Sequence, residues 1–209
     1  MSSLISNRTY TDKIVERLTD INFNISTLLN EHNAIIAGGF LLSVLNDHKS
    51  SDVDIYVNRQ NAYLFIKNIY NMMREQYSAV EYEINISKPT SASPYDQSFF
   101  YKNKILSKFT FRINRKHFFN MEFIPFIFNF DIMIVDDEMP VGNVAKNFDL
   151  SFCELWYDGI NLHSNSNIDD ILAKKGILKP DYVNSLLQYR NKFIHDRIMK
   201  YMKRGYIIG

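Results

Sequence analysis

Asp52 and Asp54 stand one residue apart in the stretch SSDVDIYV, flanked by Val53, Ile55, Tyr56 and Val57. On a strand, residues i and i+2 share a face, so the two carboxylates project together while Val53 and Ile55 turn toward a core. Two carboxylates a few Å apart repel each other. Such a pair is worth keeping where a divalent cation neutralises it, and all-oxygen ligands suit magnesium. Twelve residues separate this pair from Gly38-Gly39, which closes the run Ala34 to Ala37 and precedes Phe40, Leu41, Leu42, Val44 and Leu45. The pattern predicts a strand, a tight turn, a short helix, a polar loop from Asn46 to Ser51 and a second strand. Without a cation, the same residues describe only a tight turn and a strand with a solvated polar face.

In their order, spacing and strand-helix-strand setting, these residues resemble the DNA polymerase β-like nucleotidyltransferase superfamily. The resemblance runs from about Ala34 to Phe126 and extends toward Gly159. It implies an α/β (α+β) fold, a mixed sheet flanked by helices, and transfer of a nucleoside monophosphate from a nucleotide triphosphate to an acceptor hydroxyl with Mg2+ or Mn2+. In its terms Asp52 and Asp54 are catalytic metal ligands, and the Gly38 and Gly39 amides approach the triphosphate. A third carboxylate arrives on a strand after a hairpin, and Glu122 stands at that place; Asp149, at the head of the alternating run Phe148 to Cys153, is the alternative. Lys49 before the pair and Arg59 after it are the candidate phosphate-binding cations. An RNA 3′ end is the preferred acceptor, with a protein hydroxyl or a small molecule open. A retained fold without catalysis, serving a binding or structural role such as in a viral particle, is the alternative from another class.

The elements that must position these residues follow from periodicity. Ile14, Leu18, Ile21, Ile25 and Leu28 predict an amphipathic helix from about Tyr10 to Asn30, started by Thr9 and Asp12. Ala62, Phe65, Ile66, Ile69, Met72 and Met73 predict a helix ending near Tyr77. Glu81 to Ile86 alternates as a strand, and Pro89 to Asp96 is a loop. Phe109 to Ile113, a polar turn at Asn114-Arg115-Lys116, and His117 to Phe126 form the expected hairpin. Helices are expected from Ile168 to Lys175, capped by Gly176, and from Asp181 to Arg204, ending at Gly205. This organisation divides the chain into a core with its N-terminal helix over 1–160 and a helical, basic extension over 161–209.

Length and composition agree with one such unit. The 209 residues are 46% hydrophobic and 22% charged, which is globular rather than disordered. The net charge is +1, so the whole molecule offers no bulk attraction for nucleic acid or membranes. The charge is unevenly placed. From Ile171 onward nine basic residues, including Lys192, Arg197, Lys200, Lys203 and Arg204, face two acids, which points to a polyanionic partner such as RNA or to a solvated helix. Cys153 is the only cysteine, which fits a reducing compartment and excludes an intramolecular disulfide. His48 reads as a loop histidine, since no further ligand stands at zinc spacing. Trp156 and Tyr157 read as core. The most apolar window, Phe123 to Val135, is broken by Pro125, Asn129 and Asp131 and is too short to span a bilayer. A soluble, cytoplasmic protein is expected. Phe148 to Gly159 and Arg197 to Ile208 are similar to stretches in uncharacterised proteins of large DNA viruses, which points to host cytoplasm or virion.

Overall fold

Alternating apolar residues and turn signals assemble a sheet of eight strands in a computed structural model that describes residues 3–5, 8–21, 23–50, 52–76, 82–87, 99–119, 122–183 and 192–209. The strands are β1 (Ser3–Ile5), β2 (Ile35–Ala37), β3 (Asp52–Asn58), β4 (Tyr82–Ser87), β5 (Ile105–Phe119), β6 (Glu122–Val135), β7 (Leu155–Tyr157) and β8 (Leu162–Ser164). Their spatial order is β1-β8-β7-β2-β3-β6-β5-β4. The sheet is mixed: β3 and β6 run parallel, and its other pairs are antiparallel. A separate parallel pair joins β9 (Lys175–Gly176) to β10 (Ile207–Ile208), bringing the C-terminal end back against the segment after β8.

The helices are α1 (Arg8–Asp20), α2 (Ser26–Glu31), α3 (Gly39–Leu45), α4 (Arg59–Gln76), α5 (Ile168–Leu172) and α6 (Lys192–Lys203). α4 covers the sheet face that carries Phe109 and Phe111, with Phe65, Ile69 and Met73 buried. Each fully buried side chain of this kind contributes about 2 kcal/mol. The opposite face is closed by a 3-10 segment over Val141–Asn147 and by Phe148, whose ring meets Tyr56 edge-on at 6.4 Å. Asn58 on β3 ties that covering segment down by donating to the Asp136 and Met139 carbonyls.

Four expectations are corrected. The single helix predicted over Tyr10 to Asn30 is two helices, because Phe23 and Ile25 are both fully buried and a continuous helix would turn two residues at that spacing to nearly opposite sides. Phe23 instead leaves the helix, its amide bonded to the Leu18 carbonyl, and packs its ring 3.6 Å from that of Phe130. The turn predicted at Asn114-Arg115-Lys116 lies inside β5, where these residues pair with Ile127, Phe126 and Pro125. The trio contains no glycine to supply the positive φ of a tight hairpin, and polar residues alone do not end a strand. Phe148 to Cys153 is not a strand: Leu150 makes a single isolated bridge to Leu178, and Ser151–Cys153 is a 3-10 turn, so the alternation here does not report a pleat. Gly176 belongs to β9 rather than capping a helix, and the turn after α5 uses Lys174 at φ +56°.

Other expectations hold. α4 ends at Gln76, β4 lies where the alternation placed it, and α6 stops before Gly205, which takes φ +86°. The loop over 89–96 and the segment 184–191 of the predicted last helix lie outside the described residues. The boundary drawn at residue 160 falls in the β7–β8 hairpin, and β8 is a strand of the main sheet. Among the described residues no helix is long and apolar enough to cross a membrane.

Candidate active site

β2 ends at Ala37, and the chain reverses into α3 through Gly38 at φ +82° and ψ −133°, a conformation that an L side chain resists. A Cβ at Gly38 would also come within 3.3 Å of the Phe148 ring, and one at Gly39 within 3.4 Å of the Tyr201 hydroxyl. Backbone conformation and the Phe148 ring therefore demand glycine at Gly38, whereas the Tyr201 hydroxyl leaves an ordinary contact distance at Gly39. The Gly38 amide donates to the Leu155 carbonyl, which takes it into the sheet, and the first intrahelical bond of α3 runs from Leu42 to the Gly38 carbonyl. The first-turn amides of α3, beginning with Gly39, have no acceptor within the helix.

β3 presents Asp52 and Asp54 on one face, half-buried, between the buried Val53 and Ile55. Parallel pairing with β6 places Asn129 opposite Asp52 and Asp131 opposite Asp54, so a third carboxylate shares that face on the adjacent strand. β5, on the other side of β6, pairs Thr110 with Asp131. The Thr110 hydroxyl donates to Asp131 Oδ1 at 2.6 Å, and Lys108 Nζ lies 3.1 Å from Oδ2. Ser50 donates to the Asp52 carboxylate at 3.3 Å and to its carbonyl at 3.0 Å, fixing the loop that enters β3. Burial, then the charges of Asp52 and Asp131, push the Asp54 carboxyl up to about 7, against the opposing pull of Lys108 and Arg197. Burial contributes most to this, and the two neighbouring carboxylates add to it.

Asp131 takes the place that sequence reasoning assigned to Glu122 or Asp149. Glu122 opens β6 nine residues before Asp131, which is about 30 Å along a strand. Asp149 is 1% exposed and is held by Arg197 of α6, Nε to Oδ2 at 2.8 Å and Nη2 to Oδ1 at 3.0 Å. It anchors a helix. The signal for Asp131 is present in FNFDIM, where Asn129 and Asp131 alternate with Phe128, Phe130 and Ile132, but the predicted strand ends at Phe126 and these polar residues interrupt an apolar window.

Two adjoining cavities open at the carboxylates. The larger, about 610 Å³, is lined by Asp52, Ser43, Ser50, Phe40 and Phe128, with the cations Arg17, Lys49, Lys200 and Arg204. The smaller, about 60 Å³, lies at Gly38, Gly39, Asp52 and Asp54 beneath Arg197, Lys200, Tyr201 and Arg204. Lys49 thus lines the same cavity as Asp52. Arg59 does not: it opens α4 and lines a groove with Phe109 and Phe111, on the face opposite Thr110 and Asp131. α6 supplies what the tail's charge count only hinted at, because Arg197, Lys200, Tyr201 and Arg204 fall on one helical face. Sequence reasoning missed Arg17 altogether, since nothing local to α1 shows that this helix lies beside the loop that delivers Asp52.

The loop before Asp52 is pinned from the C-terminal end. His48 Nε2 lies 3.1 Å from the Tyr206 hydroxyl, and Arg17 reaches the His48 carbonyl at 3.5 Å. Burial, then the cations Lys174 and Arg204, lower the His48 pKa, so it stays neutral and structural, in keeping with a loop histidine. Burial pushes the Cys153 thiol up to about 11, which leaves no thiolate for catalysis.

The chain matches the family model described as Gabija anti-defense 2 family protein over residues 7–188. The chain belongs to the Gabija anti-defense 2 family. No curated protein matches its sequence significantly. Among solved structures it is similar to a CCA-adding enzyme with ATP, at 16% identity and TM-score 0.53, over 100% of this chain and 44% of that one. It is also similar to the Thermotoga maritima CCA-adding enzyme complexed with tRNA, at 14% identity and TM-score 0.54, over 100% of this chain and 43% of that one. These likenesses establish a nucleotidyltransferase-like fold for this family member, which spans less than half the length of the enzymes it matches.

Proposed function

We propose that this Gabija anti-defense 2 family protein is a metal-dependent nucleotidyltransferase. It would move a nucleoside monophosphate from a nucleotide triphosphate to an acceptor hydroxyl, with an RNA 3′ end as the preferred acceptor. The observation that carries this reading is the register of β3 and β6, which aligns Asp52, Asp54 and Asp131 on one face beside the diglycine turn. The fit to a metal is one of chemistry and placement. Three oxygen donors suit Mg2+ or Mn2+, and the Asp52 and Asp131 charges that add to the burial of Asp54 are ones such an ion would neutralise. Among the described residues no three His, Cys, Asp or Glu side chains yet converge closely enough to hold one. When bound, the metal supplies Lewis-acid stabilisation of the attacking and leaving oxygens.

The chain's own groups do the remaining work. Arg17, Lys49, Lys200 and Arg204 line a cavity of the size that holds a nucleotide and would take the donor's phosphates. Gly39, without a Cβ, lets the α3 first-turn amides approach them. Ser50 holds Asp52 in place. The acceptor oxygen forms a bond to the α-phosphorus as the bond to pyrophosphate breaks. Arg59 has no part in this reading.

A catalytically inactive fold with a binding role is the second reading. It is favoured by the occupation of both Asp131 oxygens by Lys108 and Thr110 and by the narrowness of the cavity at Gly38 and Gly39. The deciding experiment incubates the purified chain with each α-labelled triphosphate, Mg2+ or Mn2+, and RNA, DNA or Gabija components as acceptors. Label transfer abolished in D52N/D54N supports the enzyme. Triphosphate binding without transfer to any acceptor, under both metals, refutes it in favour of the binding protein.

A further inference from the structure

Asp131 is the carboxylate that completes the proposed site, yet each of its oxygens already has a protein partner. Thr110 donates to Oδ1 at 2.6 Å, and Lys108 sits 3.1 Å from Oδ2. Lys108 and Thr110 are two residues apart on β5 and so share a face, the one on which Asp131 and Asp54 lie. The pair is not a loose surface bridge: the side chains of Lys108 and Asp131 are 29% and 18% exposed. Lys108 also opposes the mutual repulsion that Asp52, Asp54 and Asp131 impose. Of the three acids on these neighbouring strands, Asp131 thus already holds an ammonium of its own.

We propose that Lys108 is a built-in cation of the carboxylate cluster, holding Asp131 out of the metal site until a divalent ion displaces it. The inference rests on the metal-dependent reading above and concerns how that site is loaded. A divalent ion of the magnesium class requires carboxylate oxygens at about 2.0–2.1 Å in near-octahedral array. Each Asp131 oxygen keeps a second lone pair, but the Lys108 ammonium 3.1 Å from Oδ2 repels a dication that approaches the same carboxylate. Metal and Lys108 thus compete for Asp131, and the apparent affinity falls by the fraction of molecules in which the ion pair is open. A lysine suits this role because its ammonium is a point charge on a flexible four-carbon stem, whereas an arginine fork would grip the carboxylate at two points. When displaced, the ammonium is freed on the same face as the carboxylates.

The test is Mn2+ binding to the full chain, followed by electron paramagnetic resonance of the free ion, in wild type, K108M, K108R and K67M. Lys67 on α4 lies on the other face of the sheet and controls for the loss of one charge. The expected result is that K108M binds Mn2+ at least about tenfold more tightly than wild type, roughly 1.4 kcal/mol. K67M should bind as wild type does, and K108R more weakly. Binding by K108M with none detectable in wild type supports the proposal in its strongest form. Mn2+ binding by wild type that K108M leaves unchanged or weakens overturns the displacement role and leaves the metal-dependent reading standing. Absence of binding in every variant overturns both. If K108M fails to fold, K108R decides: affinity equal to or above that of wild type refutes competition for Asp131.

Discussion

Replacing Arg197 by methionine should unfold more than a surface salt bridge would. Asp149 is 1% exposed on its side chain and receives both a Nε and a Nη2 bond from Arg197, the second of these at 3.0 Å. Taking away one partner of a buried pair leaves the other charge desolvated and unmatched, at a cost of about 3–5 kcal/mol. Arg197 is itself 33% exposed, so water reaches part of the vacated space and the lower end of that range applies, about 3 kcal/mol. For a chain of this size each kcal/mol moves the melting point by about 2–4 °C, so R197M should melt roughly 6–12 °C below wild type. The double variant D149L/R197M, which replaces the pair by apolar groups, should recover most of that loss. Circular dichroism melts at pH 7 measure all three proteins. R197M melting within 1 °C of wild type, or D149L/R197M melting no higher than R197M, would refute the assignment of Asp149 as the anchor of α6.

Four further outcomes follow from the same geometry. Asp54 has its pKa raised from the ordinary carboxylate range to about 7, so the folded state disfavours its ionised form. Metal-free stability is then intact below about pH 4 and is lost as pH rises through 7, by at most about 4 kcal/mol. D54N should accordingly match wild type in melts at pH 4 in EDTA and exceed it at pH 8, and equal melting at pH 8 would contradict the raised pKa. D131N should abolish label transfer whereas E122Q should leave it unchanged, and the reverse pattern would return the third ligand to Glu122. K200A/R204A should weaken triphosphate binding at least about tenfold in isothermal titration, whereas K203A, which lines neither cavity, should leave it alone. If RNA is the polyanion, each contacting residue neutralised should reduce the salt slope by about 0.7–0.9.

What could be read in the sequence and what could not divides along contact distance. Gly38, Gly39, Asp52 and Asp54 lie within one strand-helix-strand unit, so local period and turn chemistry placed them on one turn and one face. Asp131 could not be placed in that way. Its position depends on a parallel pairing that aligns it with Asp54 across the whole of α4 and the β5–β6 hairpin, and a shift of one residue in that register would turn it to the other face. Local alternation in FNFDIM marks Asp131 as a face residue of a strand but carries no information about which strand lies beside it. Arg17, Lys200 and Arg204 pose the same difficulty more acutely, coming from opposite ends of the chain to one cavity.

The C-terminal helix shows why charge counting alone misassigned its residues. Counted as a tail, Arg197, Lys200, Lys203 and Arg204 are equivalent members of a basic stretch. In the fold, Arg197 is committed to Asp149, Lys200 and Arg204 line the cavities at Asp52, and Lys203 is exposed away from both. The Tyr201 hydroxyl sits against Gly39, and Tyr206 reaches His48 in the loop that delivers Asp52. The last turns of the chain therefore contact both halves of the diglycine and Asp-x-Asp unit, and a residue's charge there says little until its partner is known. A buried partner such as Asp149 turns a cation into an anchor, and a carboxylate-lined cavity turns its neighbour three positions on into a candidate ligand for phosphate. The same reasoning separates the aspartates: Asp149 and Asp131 each face a cation, but only Asp131 stands in register with Asp54, where a second cation has a reason to compete for it.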